Sequence, residues 1–352
     1  METPAMECIE MTESLSLFGQ NIPVDILRAY RNKWPEMADE KFWDAACSAL
    51  ELYAPPPKSL TIKNPERKWE LVSAYQKTVR RGDLPLALRL VSAMCSLPGE
   101  LPYFWRRICT TAAEDIGPGD DGVMNLVMAC SEIYTPKKTA EWQYPILCFI
   151  TEMMCMAERS RAYCAMAIID GQIKAGVMPQ GLTDDEKKLV SAIRKCNDAT
   201  GWAITNAWRG EGMLKFQLIE YPLHLESNGY TAPEPMMIKG LPNYAYDMHT
   251  RVGKSVCAKL TGYAVLKDFF VKNPTLENKA VAVGWALFFE EGGKIAGELI
   301  NETLTGLEAK FIAAKFGWKL ESWLALRTII AKLLADGSVN EQRVKVANLQ
   351  GY

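Results

Sequence analysis

The chain has 352 residues, a formal net charge of -2, 49% hydrophobic and 23% charged residues, with 24 glycines and 19 prolines. That balance is globular, which excludes a disordered, collagen-like or strongly basic chain. With no positive field over the whole protein, any nucleic-acid surface has to be a local patch.

In chain order, the first 20 residues are acidic and lack both a basic start and a long apolar run. They read as a flexible tail rather than a signal peptide. From Asp39 to Tyr53, Phe42, Ala45, Ala46, Ala49, Leu50 and Tyr53 fall on one helical stripe. Pro55-Pro56-Pro57 and Asn64-Pro65 then break the chain before a helix at 66–80. Arg81-Gly82-Asp83 ends that helix and caps the next, at 84–94, with Pro85 in its first turn. The periodicity predicts further helices at 101–115, 121–133, 139–157, 159–175, 183–197 and 199–208. Four more are predicted at 248–272, 276–291, 294–316 and 320–335. Only 216–221 and 342–346 read as short strands. The expectation is an all-α fold: a helical domain over 21–220, an irregular connection at 221–246 and a second helical region over 247–352.

The ten cysteines form no CxxC pair and lie mostly among apolar helical neighbours. They read as reduced thiols of a cytoplasmic protein. With His224 and His249 the only histidines, neither a zinc site nor another cofactor is expected. No apolar run approaches the roughly 20 residues of a membrane span.

Charge is uneven along the chain. Residues 1–60 carry ten acids against five bases, whereas 61–110 carry nine bases against four acids. The basic stretch is either a phosphate-facing surface or a solvated face paired with the acidic one. Lys68, Arg80 and Arg81 are its first candidates for phosphate contact. Lys68-Trp69, Tyr103-Phe104-Trp105-Arg106 and Trp208-Arg209 place aromatic rings beside bases, a pattern that suits stacking on single strands but more often serves a core. Glu114-Asp115, near a helix end closed by Gly117, oppose the helix dipole and call for compensation. Arg106, Arg107 or the Arg80-Arg81 turn can supply it.

Gly253-Lys254-Ser255 is half of a phosphate-binding loop, but Met248 stands where the first glycine belongs. The simpler reading is a helix start capped by Asp247 or Thr250, with Lys254 in solvent. His249, Arg251 and Lys254 around that start are candidates for a DNA phosphate.

Arg81-Gly82-Asp83, Leu86-Ala-Leu-Arg-Leu90, Pro98-Gly-Glu100, Arg106-Arg-Ile108 and Ala112-Ala-Glu-Asp-Ile-Gly117 follow one another in an order that resembles a known family. The order resembles that in the C-terminal helical region of the RarA/MgsA replication-associated recombination ATPases, relatives of clamp loaders. The resemblance covers about 70–135 and extends more loosely to 175. It departs at the Gly82-Asp83 turn, which lacks a serine, and at Gly99-Glu100-Leu101-Pro102. The family's ATPase module has no counterpart in these residues, so ATP hydrolysis does not carry over. What the resemblance implies is a collar-like helical domain for assembly with itself or with replication proteins, in which Arg106, Arg107, Glu114 and Asp115 are architectural.

Ser14-Leu15-Ser16-Leu17-Phe18 resembles the pentapeptide by which bacterial proteins bind the replicative sliding clamp. Leu15, Leu17 and Phe18 would be its anchors, or else would dock on the protein's own first helix. The expectation is a non-catalytic accessory protein of DNA replication, recombination or repair that binds DNA and replication proteins as a homo-oligomer. Its rivals are a single-stranded-DNA-binding recruiter for a transcribing polymerase, a degenerate nucleotide-binding enzyme and a purely structural oligomer.

Overall fold

The computed structural model describes residues 24–31, 40–62, 64–117, 120–134, 140–158, 226–227, 234–276, 278–292, 299–300, 309–310, 312–313 and 316–350. Leu15, Leu17 and Phe18, the helices expected at 159–175, 183–197 and 199–208, the strand at 216–221 and most of 294–316 lie outside them. What is described is all-α.

The chain enters through α1 (Val24–Arg31), which buries Val24 and Leu27 against α2 (Glu40–Glu51) and α6 (Asp121–Tyr134). No helix is expected there from the sequence. After α2 the chain passes irregularly beside α4 (Leu84–Ser96), with no neighbouring strand among the described residues. Serine hydroxyls take that strand's place: Ser92 Oγ donates to the Leu60 carbonyl and Ser96 Oγ to that of Ile62, at 3.0 and 3.1 Å. The Leu60 and Ile62 amides donate back to the same oxygens.

Helix α3 (Lys68–Arg81) ends as expected at Gly82, whose φ of 68° is the left-handed conformation that glycine adopts without strain. Asp83 then caps α4, accepting from the Leu86 amide. Helix α5 (Leu101–Thr111) continues into a wide π-type turn, Ala112–Ile116. Helix α7 (Ala140–Met156) lies against α4 and α6, while α3 packs on α4, α5 and α7.

The stretch from 234 to 246 is irregular but not loose. Met237–Ile238 pairs with Leu241–Pro242 in a two-residue hairpin, and Leu241 to Asp247 are buried. Arg67 ties this hairpin to the start of α3, donating to the Lys239 carbonyl at 2.9 Å and to the Tyr246 hydroxyl at 3.1 Å.

The helix expected at 248–272 is two helices, α8 (Arg251–Leu260) and α9 (Ala264–Lys272). Thr261-Gly262 turn between them, and Tyr263 is extended. Helix α10 (Lys279–Leu287), capped by Asn278, runs into a second π-type turn, Phe288–Gly292. Leu299–Ile300, expected within a helix, pairs antiparallel with Glu226–Ser227. Helix α11 (Leu320–Ala335) matches its expected bounds.

The strand expected at 342–346 is wrong: those residues belong to α12 (Ser338–Leu349). Val339, Arg343, Val346 and Ala347 are its buried face, a spacing of 3.6 rather than 2. Helix α8 packs on α10 and α12, and one hydrophobic cluster runs from Val24 to Ala347.

Candidate nucleic-acid interface

Several of the charged residues that drew attention in the sequence are committed to contacts within the fold. The last turn of α3 carries Lys77, Arg80 and Arg81 into the contact with the 241–292 region. Arg80 is 5% exposed. Its Nε lies 2.5 Å from Asp115 Oδ1, and Nη1 donates to the Gly292 carbonyl. Arg80 is therefore not available to a phosphate, and the phosphate reading of this residue is corrected. It is instead the compensation that the carboxylate pair requires.

Gln76 donates to Glu114 Oε2 and Asp115 Oδ2, and accepts from Arg107 Nη2 at 3.1 Å. Burial, with the Asp115 charge beside it, pushes the Glu114 carboxyl above its ordinary range. Arg107, Glu114 and Asp115 thus share one network with Arg80 and Gln76. Arg106, expected to join it, is exposed and lies 5.8 Å from the centre of the Tyr103 ring.

Arg81 is also committed. Its guanidinium donates to the Glu291 carbonyl at 2.7 Å and covers the Tyr244 ring at 3.9 Å. The Tyr244 hydroxyl in turn meets Thr78 Oγ1 at 2.8 Å. The buried Lys77 amine pairs with Asp247 at 2.7 Å and donates to Ser73. Burial pulls this amine down, against the pull of Asp247. For Asp247, burial raises the carboxyl, but Lys77 and His249 reverse that and hold it well below the aspartate range. His249 is about half exposed, with Nδ1 3.1 Å from Asp247.

The start of α8 explains Gly253. Thr250 caps the helix, accepting from the Gly253 amide at 3.1 Å. A Cβ on Gly253 would lie 1.7 Å from the Asp247 carbonyl oxygen. The glycine is there for that close approach, and Gly253-Lys254-Ser255 form a helical first turn rather than a phosphate loop.

Nor is this helix start open to an outside anion. The buried Glu70 carboxylate lies near the amides of Arg251 and Val252, with neither oxygen accepting a hydrogen bond from the described residues. Burial raises it, and those amides with Arg67 only partly offset the effect. A carboxylate of the protein's own thus already lies near this helix start, which disfavours a second anion among His249, Arg251 and Lys254. Arg251 and Lys254 themselves are exposed, and Arg251 lies 3.9 Å from Glu66.

One sequence-flagged group does come together at the surface. The packing of α3 on α5 sets Trp69 against Tyr103, edge to face at 5.4 Å and 71°. Trp69 is 53% exposed. Lys68 Nζ lies 5.6 Å from the Trp69 ring centre and 5.5 Å from that of Tyr103, and Arg106 also lies over Tyr103. Glu100, at the start of α5, holds Lys68 through both carboxylate oxygens, at 2.9 and 3.1 Å. Phe104 and Trp105, their neighbours in sequence, belong to the core.

Among the described residues, no three His, Cys, Asp or Glu gather as metal ligands. None of their helices is long and apolar enough to cross a membrane. The cysteines described are free thiols, and burial pushes Cys95, Cys148 and Cys257 up to about 12. No family model, curated protein or solved structure matches the chain.

Proposed function

We propose that this protein is a non-catalytic accessory factor of DNA replication, recombination or repair, and that it holds DNA at the face formed by the starts of α3 and α5. The observation that carries the reading is the cluster of Lys68, Trp69, Tyr103 and Arg106. Two cations and two rings from separate helices converge on one exposed patch, while Lys77 and Arg80 are buried and Arg81 is held by the Glu291 carbonyl. Cations beside aromatic faces suit a phosphate backbone with its bases. The replication setting rests on the resemblance over about 70–135 and on the clamp-like pentapeptide at 14–18. Both also support assembly with itself or with a sliding clamp.

The test is fluorescence anisotropy of a labelled oligonucleotide across a salt series. Binding is expected to weaken as salt rises, and to weaken about three- to ten-fold further in the Lys68→Ala/Arg106→Ala double variant. Absence of binding by the wild type at low salt would remove DNA from the reading. Copurification of the sliding clamp, lost on Leu17→Ala/Phe18→Ala, tests the partner.

A further inference from the structure

Granted the DNA reading above, we infer that the Trp69–Tyr103 patch is a stacking site for unpaired nucleotides, and that Glu100 keeps Lys68 from adding its full charge to the grip.

Three observations lead there. First, a tryptophan that is 53% exposed keeps much of its ring open to solvent. Tyr103 meets it edge to face and braces it from the side, so the pair forms a corner rather than a sealed stack. An open indole suits an unpaired base, whose own face is free, whereas in a duplex each base face is already covered by its neighbours.

Second, the cations lie over the rings. Lys68 is over both Trp69 and Tyr103 and Arg106 is over Tyr103, within 5.5 to 5.8 Å of the ring centres. A strand stacked on Trp69 would bring its phosphates past both.

Third, Glu100 already grips Lys68 with both oxygens. Glu100 begins α5, yet its side chain does not cap that helix. Its carboxylate instead stands where a phosphate would stand, so a strand has to compete for this lysine. Of the two cations at the patch, only Arg106 acts at full strength. Affinity is then governed by stacking, with a shallow dependence on salt, and bare duplex is discriminated against.

The experiment compares four labelled probes of equal length: a single strand, its duplex, an abasic strand carrying the same phosphates, and an RNA strand. The wild type is expected to prefer the single strand to the duplex by ten-fold or more, and to lose a similar factor on the abasic strand. RNA binding comparably to DNA is also expected, because stacking does not read the sugar. Trp69→Ala should weaken single-strand binding about ten-fold, while Trp69→Phe retains most of it. Circular dichroism of both variants shows whether the helices are kept. Glu100→Gln should tighten binding and steepen the slope of log K against log salt by about 0.7, one phosphate contact on a single strand.

Equal affinity for duplex and single strand, or full binding of the abasic strand, overturns the stacking site while leaving DNA binding in place. Binding to none of the probes overturns the DNA reading itself. An unchanged salt slope in Glu100→Gln overturns the role given to Glu100.

Discussion

Arg80 shows why a basic residue in a basic stretch need not face a ligand. Its pairing with Asp115 is buried on both sides, and removing one partner leaves the other charge without its counter-ion. Arg80→Ala should cost about 3–5 kcal/mol in a denaturant titration, whereas the exposed Lys254→Ala should stay within about 0.5 kcal/mol. Glu70 and Asp247 have opposite signs. Glu70 is raised in the fold, so its ionised form costs stability above its folded value, a cost that fades as the pH falls towards about 4. Glu70→Gln should therefore melt above the wild type at pH 8, the gap closing in acid. Asp247 is depressed, so its contribution is complete above the ordinary aspartate value of about 4 and is lost as acid protonates it in the fold. Acid unfolding of Asp247→Asn should lack that part of the slope.

Helix ends and helix faces were legible in the sequence to different degrees. The α3–α4 boundary could be read from Arg81-Gly82-Asp83 because every interaction that makes it, the left-handed glycine and the aspartate cap, is local. The Thr250 cap was legible for the same reason, and Thr250→Ala should cost about 0.5–2 kcal/mol of thermal stability. Gly253 stood out in the sequence only as part of a half phosphate loop, and the oxygen it accommodates became visible only once the Asp247 turn was placed. Gly253→Ala should cost about 3 kcal/mol or more by overpacking. Helix α12 was misread as a strand because Arg343 occupies its buried face at 0% exposure, where an apolar residue would have revealed the helical period. What permits an arginine there is Glu291, which holds it with both oxygens, together with the Tyr246 carbonyl. Such a partner, 52 residues away, leaves no local signal. The patch at Trp69 and Tyr103 was half legible. Both aromatic-basic pairs stood out in the sequence, but only the packing of α3 on α5 showed which rings are exposed and which lie in the core.

Across the molecule, cationic side chains of α3 and its approach join parts of the chain that are far apart in sequence, one through an ion pair and three through backbone carbonyls. Arg67, Lys77, Arg80 and Arg81 all reach the 239–292 region. Desolvated charges of this kind are screened by salt much less than exposed pairs. Thermal stability should accordingly change little between 50 mM and 500 mM salt, whereas oligonucleotide binding changes with it, and a pair of melting and anisotropy series separates the two.

The link from Arg80 to the Gly292 carbonyl spans 212 residues and that from Arg81 to Glu291 spans 210. During synthesis, α3 leaves the ribosome long before either acceptor exists. Its basic last turn must wait in solvent, because closing over it early would trap cations without their partners. Loops of this length make final closure slow. The first half of the nascent chain should therefore remain open to proteases, and to chaperones that recognise exposed apolar helices, until residues near 292 have emerged.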